Sequence, residues 1–234
     1  MTRTKHLCML WMLLVMGYAT AFSFNYQKAF GADWAAAESY VAKHHDKWKH
    51  TFDLFRVNAR MAEAVVFPEL IRYSIWQDEI ERAAVNGLYI NGGKRMADFS
   101  IGRFQMKPSF AEEVEREWNQ STLARDYGFV FDTRDHNSAR RSRISRLSTE
   151  EGQCRYLAIF ILLLQERHPC LNKLPERKRV RYLATAYNHS FTASWSEVCS
   201  MQHKSSFHTD IFKTAGTHLY CYADISVCFY RLRY

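Results

Sequence analysis

Ser148-Thr149-Glu150-Glu151-Gly152-Gln153-Cys154-Arg155-Tyr156-Leu157-Ala158-Ile159-Phe160-Ile161-Leu162-Leu163-Leu164 is the stretch on which the fold turns. Ser148 with Glu151 three residues on forms a capping box, in which serine and glutamate satisfy each other's backbone N–H groups. From Tyr156 to Leu164 every side chain is apolar. A helix apolar around its whole circumference must sit in the middle of a domain with other elements around it. Pro169 ends the run because it cannot continue a helical ladder.

The flanking sequence supplies those partners. Asp33 is placed to cap a helix through Trp34, Ala35-Ala36-Ala37 and Tyr40-Val41 to about Lys49. A second helical pattern covers Phe52 to Val66, where Pro68 kinks or restarts it; Leu70, Ile71, Ile75, Ile80 and Ala83-Ala84 then keep a helical spacing. Pro108 opens another helix, with Phe110, Val114 and Trp118 on one face. A further one runs from about Pro175 to Tyr187, with Val180, Leu183, Ala184 and Tyr187 on one side. Asn91-Gly92-Gly93 is the strongest turn signal and suits a small hairpin. The segment Asp126 to Arg146 carries Arg134, Arg140, Arg141, Arg143 and Arg146 with few large apolar residues, and reads as an exposed loop or insertion with a solvated face. The tail after Ser190 is rich in aromatics and cysteines and has no clear period. With only nine glycines and four prolines, the expected class is mainly α, one domain over residues 22–234.

The first residues read as an export leader. Arg3, Lys5 and His6 precede an apolar run from Leu7 to Met16, and Ala19-Thr20-Ala21 supplies a small-x-small cleavage site, placing the mature start near Phe22. An uncleaved anchor is the alternative, although the run is short against the roughly 20 residues a membrane-spanning helix needs. Cys8 leaves with the leader. Cys154, Cys170, Cys199, Cys221 and Cys228 remain, an odd number, so one thiol stays free. Cys154 and Cys170 flank one helix and would stand roughly 24 Å apart, beyond bridging reach; Cys221 and Cys228 are the better local pair. No cysteine spacing and no His-Glu-x-x-His points to a metal, and no cofactor is expected. The net charge of +8 suits a polyanionic surface, either cell wall or an anionic membrane face. Nucleic acid fits the charge, but export argues against it.

Three segments carry the chemistry. In Val65-Val66-Phe67-Pro68-Glu69-Leu70 a carboxyl follows an apolar helical run, where a low dielectric raises its proton affinity and suits it to acid catalysis. An acid after proline is also a common first-turn helix stabiliser. In Ser100-Ile101-Gly102-Arg103-Phe104-Gln105-Met106-Lys107-Pro108, Gly102 permits a tight turn, Phe104 and Met106 point into a core and Gln105 points away. An amide there offers a donor and an acceptor to an N-acetyl sugar; the plain alternative is a turn leading into a helix. In Ala184-Thr185-Ala186-Tyr187-Asn188 the last two residues can orient a carboxyl or a sugar hydroxyl, or else serve as core tyrosine and helix terminator.

Taken in order, these segments resemble the lytic transglycosylases of the SLT type, relatives of goose-type lysozyme. That family shows a glutamate after an apolar helix, then Gly-Leu-Met-Gln-Ile-x-Pro, then Ala-Ala-Tyr-Asn-Ala-Gly. Gly102, Gln105 and Pro108 match the second motif and Ala184 to Asn188 resemble the third, over roughly Ala59 to Ser190. Leu70 stands where the family has serine, and His189-Ser190 where it has Ala-Gly, which marks a divergent member.

The resemblance implies a lysozyme-like α+β fold, a periplasmic or extracellular place and peptidoglycan as partner. It implies cleavage between N-acetylmuramic acid and N-acetylglucosamine with a 1,6-anhydro product. Glu69 would be the single acid/base, Tyr187 would bond Glu69 or the substrate, and Gln105, Asn188, Ser100 and Gly102 would line the substrate site. A lysozyme-type muramidase is the alternative and needs a second carboxylate, for which Asp98 is the better candidate and Glu79 the other. A peptidoglycan-binding scaffold without catalysis is the remaining reading.

Overall fold

A computed structural model describes residues 24–75, 80–210 and 213–234. The leader at 1–21 and Glu79 lie outside them. In chain order the described elements are α1 (Tyr26–Phe30), α2 (Ala32–Leu54), α3 (Ala59–Ile75), α4 (Ile80–Gly92), α5 (Pro108–Gln120), α6 (Thr122–Tyr127), α7 (Asn137–Leu147), α8 (Glu150–Arg167), α9 (Glu176–His189) and α10 (Trp195–Met201). A two-stranded antiparallel ribbon of β1 (Ser205–Phe207) and β2 (Tyr220–Cys221) precedes the last helix, α11 (Tyr222–Arg233). The class is mainly α, with 70% helix and 4% strand.

The apolar stretch forms α8, and its residues from Tyr156 to Ile161 are buried. Packed around it are α2, α5 and α7. Its cap is Thr149, whose Oγ1 accepts from the Gly152 N–H at 3.1 Å, and not Ser148. Ser148 still has helical backbone angles at the end of α7 and donates instead to the Ile144 carbonyl at 2.8 Å. Only Thr149 is extended, as a cap must be. At Gly152 a Cβ would lie 2.0 Å from the Arg146 carbonyl oxygen, so glycine is what lets α7 meet α8 so closely.

The second central element is α3, which packs against α2, α9 and α11. It continues without a break through Pro68, where the sequence predicts a kink or a restart, so there is no restart. Proline removes one N–H from the ladder, but every residue from Met61 to Leu70 is buried, and tertiary packing outweighs the missing bond. Phe67 stacks on Phe229 of α11 at 3.8 Å and meets Trp34 of α2 edge-on at 4.7 Å.

Other expectations need correction. Asn91-Gly92-Gly93 closes no hairpin: α4 continues to Gly92, and a 3-10 turn follows over Gly93–Arg95. The small hairpin is at Ile101 and Met106, which exchange backbone bonds of 2.9 and 3.1 Å. Asp33 lies in the first turn of α2, whose cap is Gly31. All five cysteines in the described residues are free. Cys221 caps α11 and Cys228 lies two turns along it, about 10 Å away at 1.5 Å per residue and out of bridging range.

The arginine-rich segment is no solvated loop either. From Asn137 on it is α7, with Arg140 and Arg143 buried. The fully buried Glu115 of α5 accepts from Arg143 Nε at 2.9 Å and Nη2 at 2.6 Å, from Arg146 Nη2 at 2.7 Å, and from the Tyr156 hydroxyl. Arg140, Arg143 and Arg146 share one helix face; Glu115 is the counter-charge of Arg143 and Arg146, while Arg140 pairs with Asp135. Replacing Arg143 with Met removes the forked partner of a buried carboxylate. The expected cost is about 3 kcal/mol, read as a lower urea midpoint at unchanged slope; an unchanged midpoint would mean that water compensates Glu115.

Candidate functional site

The three chemistry-bearing segments meet in one cleft of about 470 Å³. Its sides are α3 with Glu69 and Arg72, the turn with Ser100 and Gln105, the start of α5, and the end of α9 with Tyr187 and Asn188.

Glu69 projects from the enclosed helix α3 and is only 6% exposed. Burial pushes its pKa up to about 7, against the opposing pull of the Arg72 guanidinium. Arg72 is one turn on, with Nη1 3.5 Å from Oε2 of Glu69. Its own position is fixed from the C-terminal ribbon: Nε donates to the His208 carbonyl at 3.0 Å, and the guanidinium lies 4.8 Å from the Phe207 ring centre.

The turn is tied to the central helix α8. Gln153 accepts from the Phe104 N–H at 2.8 Å and donates to the Leu147 carbonyl at 2.6 Å. Gly102 has φ +66°, and a Cβ there would fall 1.6 Å from the Gln153 amide nitrogen, so no other residue fits unmoved. Phe104 and Met106 are buried, and Phe104 meets Trp48 edge-on at 5.0 Å. Gln105 takes φ +52°, a left-handed conformation uncommon for a residue with a side chain. Its amide N–H donates to the Gly102 carbonyl at 2.8 Å. That bond uses one of the two amide N–H donors, so the second N–H and the amide oxygen of Gln105 remain for a ligand.

Tyr187 donates to the Phe104 carbonyl at 2.7 Å, so its hydroxyl braces the turn rather than bonding Glu69. Burial and then the nearby Glu69 charge push its pKa well above the ordinary tyrosine value. Asn188 is exposed at the cleft rim. Sequence reading missed Tyr222, the first residue of α11, which is buried with a hydroxyl that makes no hydrogen bond. Burial raises its pKa well above the ordinary value, with Glu69 and Tyr187 the next influences. The signal was present as a tyrosine at a helix start, but the unassigned tail gave no hint that it returns to Glu69.

Asp98 does not enter the cleft lining. Both its oxygens cap α5, accepting from the Ser109 N–H at 2.9 Å and the Ser109 hydroxyl at 2.8 Å. The second carboxylate in the lining is Glu113, unforeseen and held by Arg116. Among the described residues no group of three or more His, Cys, Asp or Glu side chains could hold a metal ion, and no helix is long and apolar enough to cross a membrane.

Linkage makes the Glu69 environment measurable. Its folded pKa lies above the unfolded one, so the native state binds the extra proton. Stability from this group is full below about pH 4.5 and falls as pH rises to about 7. The loss is on the order of 3 kcal/mol across that window. Glu69→Gln is expected to melt higher than the parent at pH 8, with the gap closing at pH 4; equal melting at both would mean that Glu69 is solvated. In comparison the chain matches no protein-family model, no curated protein and no solved structure, so what the cleft does rests on its own chemistry.

Proposed function

We propose that the chain is an exported peptidoglycan lytic transglycosylase, a divergent relative of the SLT-type enzymes with a lysozyme-like α+β fold. One observation carries this reading: a buried carboxyl, Glu69, with a pKa near 7, opens onto a cleft shared by Gln105, Tyr187 and Asn188. An acid of that strength is half protonated at neutral pH and can both give and take a proton there. The order of the motifs fits this reading, and the net charge of +8, which stays positive when Arg3 and Lys5 leave with the leader, fits a polyanionic wall.

In this mechanism Glu69 donates its proton to the oxygen linking N-acetylmuramic acid to N-acetylglucosamine. The C1–O bond breaks as the muramic ring becomes oxocarbenium-like, helped by its N-acetyl group. Ionised Glu69 then takes the proton of the muramic 6-hydroxyl, whose oxygen bonds to C1 and closes the 1,6-anhydro ring. No water is consumed, and one carboxyl suffices. The Gln105 amide oxygen accepts from a sugar N–H, Asn188 bonds hydroxyls, and Tyr187 keeps the turn in place. Arg72 steadies the ionised state of Glu69 between the two proton transfers.

The muramidase reading finds no role for Asp98, which is spent on the α5 cap; Glu113 is the carboxylate that would have to serve it. Digestion of purified peptidoglycan, read by mass spectrometry beside Glu69→Gln, separates the readings. Anhydro-muropeptides from the parent alone are expected, with kcat/KM falling as pH rises through about 7 because the acid form is lost. Reducing ends would mean a hydrolase. Retention on the wall pellet without products would mean a binding scaffold.

A further inference from the structure

Arg72 raises a question that the single-carboxyl mechanism leaves open. Among the described residues, Glu69 is the carboxylate within ion-pair distance of it. When Glu69 carries the proton it must donate, Arg72 is a cation in the cleft with no anion opposite it among the described residues. The other groups facing Glu69 do not supply one. Tyr187 of α9, partly buried, and Tyr222 of α11, buried, have pKa values raised well above the ordinary tyrosine value and stay neutral. Lys107 and His189 on the cleft wall are cationic or neutral, and Glu113 is held by Arg116. Arg72 is nevertheless built in place, by the His208 carbonyl, the Phe207 ring and Glu69, with 22% of its side chain still open. A guanidinium held so rigidly recognises a carboxylate at little cost in entropy.

We infer that Arg72 is the recognition group for the free lactyl carboxylate of a peptide-free N-acetylmuramic acid residue, and so selects glycan strands stripped of their stem peptides. The inference rests on the function proposed above, which brings the muramic residue to Glu69. That residue carries its lactyl group on C3 of the ring whose C1 reacts. On a stem-bearing strand this carboxyl is an amide and offers Arg72 only a neutral carbonyl. On a stripped strand it is an anion, which pairs with Arg72 and frees Glu69 to hold its proton. The reaction that supplies the substrate must then be hydrolysis of the amide joining stem peptide to lactyl group.

The test titrates the full protein with the methyl glycoside of N-acetylmuramic acid and, separately, with its lactyl methylamide. The acid is expected to bind about tenfold more tightly, the gap between charge-assisted and neutral hydrogen bonds. Arg72→Gln should lose that preference, and Arg72→Lys should keep part of it. On glycan, Arg72→Gln touches Glu69 and so slows both substrates, but kcat/KM for stripped strands should fall about tenfold further than kcat/KM for stem-bearing strands. Equal affinity of the parent for both probes, or a preference for stem-bearing strands, would overturn the inference while cleavage of either strand upheld the enzyme. If the parent neither binds the probes nor cleaves glycan, the proposed function itself falls.

Discussion

Taking a carboxyl away from water disfavours its charged form, and the burial that does this to Glu69 organises the site. The enclosure of α3 supplies that burial. Ten consecutive buried residues, Met61 to Leu70, carry the chain from one side of the core to the cleft, and Glu69 emerges at the end of that dry passage. Three helices press on α3, so the missing ladder bond at Pro68 is absorbed. The same packing that holds the helix together sets the proton affinity of its glutamate.

The second requirement is that the ligand-facing groups be fixed relative to that acid. Here the side-chain amide of Gln153 is decisive. One end grips the Phe104 N–H and the other the Leu147 carbonyl, so the turn is referred to the central helix and not left as a surface loop. Tyr187 closes the opposite side by donating to the Phe104 carbonyl. With both backbone groups of Phe104 held, the strained backbone at Gln105 is over-determined by its surroundings, and Gln105 lines the cleft.

Charge plays two distinct parts. The Glu115, Arg143 and Arg146 network joins α5 to α7, with Tyr156 bringing in α8; its charges are satisfied inside the protein. Arg72 is different. It joins α3 to the C-terminal ribbon and touches the one carboxyl whose protonation changes during the proposed reaction. Arginines that look alike in sequence are thus divided by whether a fixed anion stands opposite them.

The sequence by itself determined the helical class, the central place of the Tyr156 to Leu164 run, the helix start at Pro108, and Glu69, Gln105 and Tyr187 as residues worth bringing together. These are local properties: apolar periodicity, proline and glycine geometry, and ordered short motifs. Tertiary structure decided the rest. Asn91-Gly92-Gly93 has the composition of a hairpin turn, but no strands flank it to pair, so α4 runs on to Gly92 and a 3-10 turn follows. Arg143 looked solvated because Glu115, its partner, lies 28 positions away. Asp98 was a free carboxylate on paper until Ser109 claimed both its oxygens. Tyr222 and the His208 carbonyl reach Glu69 and Arg72 from a tail with no periodicity to read. Propensity acts between near neighbours in the chain, whereas burial and charge pairing act between whatever the fold brings together, so only the folded chain could assign them.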